Sequence, residues 1–118
     1  MDTDFSADHR SIQETFARFV DREVVPQAAA LDEAHAYPRA LMGRLAELGF
    51  FGMRYPESAG GLGMDLSAFC LALEEIARGS LSLAGAAAMQ ALMGTNFLNM
   101  LGSDDFRKRL FKPALAGE

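Results

Sequence analysis

Between Leu81 and Ser103 the chain carries no charged residue, and any fold it adopts has to house that run. Small and apolar side chains fill it, interrupted by Gln90, Thr95, Asn96 and Asn99. A helix over Leu81–Leu101 would be long enough for a bilayer, which needs roughly 20 apolar residues. Its content argues against a membrane span. Ala, Gly, Ser and Met gain little from lipid, and each of the four hydrogen-bonding side chains would need a partner there. The expectation is a helix buried on all sides, covering the apolar faces of its neighbours. Gly85, Ala86, Ala87 and Ala88 permit close approach of another backbone or a flat ligand. Met89, Met93 and Met100 are adaptable apolar fillers.

The rest of the chain supplies those neighbours. Ile12, Phe16, Phe19, Val20 and Val24 fall at i, i+4, i+7, i+8 and i+12, one face of a helix. Ser6 is its expected N-cap, and Pro26 should kink or restart it. The spacing predicts a first helix from about Ala7 to Asp32, broken near Val25. Pro38 opens a second, with Leu41, Met42, Leu45 and Leu48 on one face and Gly49 as a left-handed C-cap. Phe50–Gly63 holds four glycines and a proline and reads as the one long loop. A third helix starts at Leu66, capped by Asp65 or Ser67, with Leu66, Phe69, Cys70, Leu73, Ile76 and Ala77 as its apolar stripe. Gly79-Ser80 breaks it before the uncharged helix. Asp104-Asp105 cap a last, basic helix from Phe106 to about Lys112, ahead of Pro113. No strand pair or repeat is visible. The reading is all-α: one domain over 1–118, a bundle of about five helices.

Chemistry narrows by elimination. Net charge is -5, which opposes nucleic-acid binding. One cysteine, Cys70, leaves no disulfide framework or cysteine metal cluster, so the chain reads as reduced and cytoplasmic. The start, Met1-Asp2-Thr3-Asp4, lacks the apolar segment of a signal peptide. His9 and His35 each lack a second ligand at metal spacing and read as surface or cap residues. Cys70 reads as an inert core thiol. Glu74-Glu75 and Asp104-Asp105 diverge around their helices and read as solvated faces. Arg107-Lys108-Arg109 reads as a dipole-favoured helix end, with a phosphate contact as the lesser alternative. Gly60-Gly61-Leu62-Gly63 has neither a strand before it nor a lysine after it, so a tight turn fits better than a phosphate cradle. No self-contained catalytic constellation is present.

The order of the punctuation says more. Arg18-Phe19-Val20, Glu23-Val24-Val25-Pro26, Asp32-Glu33, Tyr37-Pro38 and Leu45-Ala46-Glu47-Leu48-Gly49-Phe50 come first. Tyr55-Pro56-Glu57-Ser58-Ala59-Gly60-Gly61-Leu62-Gly63 fits a P-E-x-x-G-G-x-G pattern. Glu74-Glu75-Ile76-Ala77-Arg78, Gly102-Ser103-Asp104-Asp105 and Pro113-Ala114-Leu115-Ala116-Gly117-Glu118 follow. In this order the chain closely resembles the N-terminal domain of the acyl-CoA dehydrogenases, FAD-dependent enzymes that desaturate acyl-CoA thioesters.

The resemblance implies a subunit of three parts: this helical domain, a β-barrel domain and a C-terminal helical bundle. It implies FAD between the last two, a catalytic carboxylate that removes the α-proton, and a flavin N5 that takes the β-hydride. The flavin-contacting strands and the base are then expected beyond Glu118. Within 1–118 no catalytic residue is expected, and FAD is expected only in the complete enzyme. The implied partners are an acyl-CoA substrate, the other domains, an electron-transferring flavoprotein and further subunits of a homo-oligomer. The uncharged helix is implied to line the acyl pocket through Gly85, Ala86, Met89 and Met93, with Gln90 pairing a buried backbone group and the two methionines limiting pocket depth. Two other readings stay open: a stand-alone helical interaction or lipid-binding module, and the same domain of a flavin monooxygenase, acyl-CoA oxidase or nitroalkane oxidase.

Overall fold

The computed structural model describes residues 4–118; the expectation for Met1–Thr3 lies outside the described residues. Among those described, five helices form and no strand does. Helix α1 spans 7–33 without a break, as Ala7–Phe19, a π turn Val20–Val24, and Val25–Glu33. Helix α2 is Arg39–Glu47, α3 is Leu66–Gly79, α4 spans 81–101 and α5 spans 104–116.

The starts and stops follow side-chain chemistry. Ser6 and His9 form a reciprocal capping box at α1, the Ser6 hydroxyl accepting from the His9 N–H and the His9 ring from the Ser6 N–H. Asp65 caps α3 through the Ala68 N–H at 2.8 Å, and Ser80 caps α4 through the Leu83 N–H. Gly49, at φ 78°, turns the chain out of α2 in a conformation that a side chain would oppose.

The structure corrects three expectations about helix ends. Pro26 does not break α1. The missing N–H and the ring are absorbed by the widened turn before it, where the Val25 N–H reaches five residues back to the Val20 carbonyl. Pro113 is passed in the same way: the Lys112 N–H bonds the Arg107 carbonyl, and α5 runs on to Ala116. Ser103, rather than the acidic pair, caps α5 through the Phe106 N–H.

Helix α3 lies at the centre. Ala68, Phe69, Ala72 and Ile76 face the core, with Phe16, Phe19, Val20 and Val24 of α1 on one side and Leu83, Ala84, Ala87 and Ala91 of α4 on the other. Leu41 and Leu45 of α2 and Phe50, Phe51 and Met53 of the loop close the end. Each fully buried large side chain contributes about 1.5–3 kcal/mol. The working stripe of α3 uses alanines and sits one step round from the expected one. Cys70 is therefore exposed, not a core thiol, and Leu66 is exposed as well. A smaller cluster of Tyr55, Phe111 and Leu115 anchors α5 to the loop.

Candidate functional site

Helix α4 departs most from expectation. It is not buried on all sides. Its small inner residues let it sit close against α3, and its outer face is uncovered among the described residues. Met89 is 58% exposed, Met93 49% and Phe97 57%, with Gly85 and Leu101 exposed in the same row. Of the four residues expected from sequence, Gly85, Met89 and Met93 thus share this outer face. Ala86 does not: it is half-buried and leans on the core. Phe97 extends the row. It is absent from the sequence expectation, although it continues the four-residue spacing. Beyond it, Phe97, Leu98, Leu101 and Phe106 line an open apolar groove between α4 and α5.

A widened turn keeps the row straight. In an α-helix each residue advances 100°, so the twelve residues from Gly85 to Phe97 would overshoot three turns by about 120°. Met89–Gly94 is a π turn, and its one extra residue takes back about 100°. Gly85, Met89, Met93 and Phe97 consequently stay on one side.

Side-chain donors complete that turn. The Thr95 N–H, which in an α-helix would bond the Ala91 carbonyl, goes instead to the Gln90 carbonyl. The Thr95 hydroxyl, 1% exposed, donates to the same oxygen at 2.6 Å. The Ala91 carbonyl accepts from the Tyr55 hydroxyl at 2.9 Å. Burial pushes the Tyr55 phenol up, against a smaller opposing effect of the neighbouring Arg54 guanidinium, so the hydroxyl stays a donor at neutral pH. Gln90 enters through its main-chain carbonyl rather than its side chain.

The loop that presents Tyr55 is bonded into itself. The N–H groups of Gly60, Gly61, Leu62, Gly63 and Met64 donate to the carbonyls of Glu57, Pro56, Gly52, Tyr55 and Met53 at 2.7–3.0 Å. Gly61 packs so closely that a Cβ would overlap the Tyr55 and Gly52 carbonyl oxygens. These five N–H groups are therefore engaged within the turn rather than offered to a phosphate. Elsewhere, His9 Nε2 lies 3.0 Å from Asp65 and ties the starts of α1 and α3 together. His35, at φ 49°, lies just beyond the end of α1.

The described residues thus form an all-helical domain, a fold shared with part of a solved acyl-CoA dehydrogenase subunit, and the class is that of the acyl-CoA dehydrogenase N-terminal domain. The family model for that domain, "Acyl-CoA dehydrogenase, N-terminal domain", matches residues 6–118, and the chain belongs to this family. It is 68% identical over 118 residues to benzylmalonyl-CoA dehydrogenase of Aromatoleum aromaticum, spanning all of this chain and 31% of that protein. It is 33% identical over 116 residues to 3-(aryl)acrylate reductase of Clostridium sporogenes, spanning 97% and 30%. A solved glutaryl-coenzyme A dehydrogenase in complex with glutaryl-CoA matches with a TM-score of 0.90 at 32% identity, covering 98% of this chain and 30% of that one. The chain spans about a third of the length of the relatives it matches. No helix among the described residues is long and apolar enough to cross a membrane.

Proposed function

We propose that this chain forms the N-terminal domain of a flavin-dependent acyl-CoA dehydrogenase. That enzyme removes two hydrogens from the α and β carbons of an acyl-CoA thioester. The domain supplies one wall of the acyl pocket through Gly85, Met89, Met93 and Phe97, with Ala86 at its edge. The observation that carries the reading is the outer face of α4, a straight uncharged row of glycine and apolar side chains left open among the described residues. Contiguous apolar patches of this kind mark binding surfaces.

An aryl-substituted acyl group is the substrate class we favour. The benzylmalonyl and aryl relatives point that way, and so does the wall: methionine sulfur makes favourable contacts with aromatic rings. The flavin supplies hydride acceptance when bound. The N–H groups of residues 60–64 are not offered to it, because the glycine-rich turn spends them on its own carbonyls. This domain's part is to shape the acyl site and exclude water from it. The complete enzyme is a cytoplasmic homo-oligomer that passes electrons to an electron-transferring flavoprotein.

The test is Met93→Ala in the complete enzyme, with kcat/KM measured across a series of aryl and straight-chain acyl-CoA thioesters. Removing a side chain from an apolar pocket should shift the ratio between substrates by about tenfold or more. An unchanged ratio would refute the wall assignment.

A further inference from the structure

We infer that Tyr55 and Thr95 are positioning residues that set acyl specificity without touching the acyl group, by holding the π turn of α4. The inference rests on the reading of α4 as the pocket wall.

A π turn gives up the compact bonding of an α-helix and persists only where something else rewards it. In α4 the reward comes from two buried hydroxyls on different elements. Thr95, within α4, doubles the bond to the Gln90 carbonyl. Tyr55, from the loop between α2 and α3, takes the Ala91 carbonyl, which the shifted Thr95 N–H has left. Tyr55 is itself fixed, by the Phe111 ring edge-on at 5.1 Å and by a loop bonded into itself.

The consequence for the wall is angular. Without the extra residue, everything after Gly94 would rotate by about 100° relative to Met89. Phe97 and Leu101 would leave the row that Gly85 and Met89 begin, and a neighbouring set of side chains would replace them. The distal half of the wall would then present a different shape to the end of an acyl group, while the proximal half stayed as it is. Neither hydroxyl faces the pocket: Thr95 and Tyr55 are both buried behind the helix.

The experiment uses the complete enzyme with Tyr55→Phe, Thr95→Val and, as the conservative control, Thr95→Ser. Crystal structures read the turn, and kcat/KM across aryl and straight-chain acyl-CoA thioesters reads specificity. Flavin content serves as the check on folding. Tyr55→Phe and Thr95→Val should each relax Met89–Gly94 toward an α turn and shift the aryl-to-straight-chain ratio by about tenfold or more, the size expected when the shape of an apolar pocket changes. Thr95→Ser should retain both the turn and the ratio. Should Tyr55→Phe not fold, Thr95→Val carries the same expectation alone. An intact π turn, or an unchanged ratio, in the folded variants overturns the inference. Met93→Ala then tells which idea failed. If that variant alters the ratio, the wall stands and the positioning role is wrong; if it does not, the wall reading itself is wrong.

Discussion

Gly85 is a costly residue to keep where it is. It lies mid-helix on the outer face of α4, and a Cβ added there would meet nothing within 4 Å. Ala is favoured over Gly in a helix interior by about 0.8–1.0 kcal/mol, partly because Gly frees the unfolded chain. No steric term within the described residues offsets that gain. Gly85→Ala should therefore stabilise the 118-residue chain by about 1 kcal/mol, raising its melting temperature by about 3–6 °C. On the proposed reading of α4 as the pocket wall, the same methyl projects toward the acyl group in the complete enzyme. The kcat/KM for a bulky aryl acyl-CoA should fall by about tenfold, while a short straight-chain thioester is spared. Thermal melting followed by circular dichroism checks the first half, and steady-state kinetics on both substrates checks the second. A stabilised enzyme with unchanged kcat/KM on every substrate would mean that nothing approaches Gly85, and a need for acyl clearance could no longer account for the glycine.

Two further outcomes follow from the loop and the caps. Gly61→Ala drives a Cβ into the Tyr55 and Gly52 carbonyl oxygens, main-chain atoms that cannot swing aside, so urea unfolding should show a loss of about 1–3 kcal/mol; a loss below about 0.5 kcal/mol would contradict the packing. Asp65 has its carboxyl held below the usual range, first by the Ala68 N–H and then by His9. A lowered folded-state pKa gives stability that is present above the unfolded value and lost as pH falls through the folded one. Asp65→Asn keeps a good cap but removes that titration. Its deficit against the parent, measured by urea unfolding, should shrink as pH drops from about 6 to about 2. A deficit constant across that range would count against the assignment.

What is legible in the sequence divides along the range of the forces involved. Ser6, Gly49, Asp65 and Gly79-Ser80 mark real helix ends because caps and left-handed turns are settled within three or four residues. Pro26 and Pro113 mislead when proline is weighed against an α-helix alone. The π turns at Val20–Val24 and Arg107–Phe111 accept it without a break. Cys70 is misplaced when Ala68 and Ala72 are left out of the apolar stripe, because those two buried alanines are the residues that let α3 pack closely.

The sidedness of α4 lies at the other extreme. Its composition is uniform, so no local pattern tells an inner from an outer face; that distinction belongs to the elements packed against it. One clue is nevertheless present. Every fourth position from Gly85 through Met89, Met93 and Phe97 to Leu101 is uncharged and carries glycine or an apolar side chain, a spacing that a straight α-helix would smear around its circumference. Such a row can face one way only if the helix is underwound, and underwinding releases carbonyls that need donors. Thr95 at the turn and Tyr55 in the loop between α2 and α3 are those donors. The glycine-rich loop accordingly has a physical role that needs no bound phosphate. By bonding its own N–H groups it becomes a rigid mount for Tyr55, and through Tyr55 it fixes which side chains of α4 face outward.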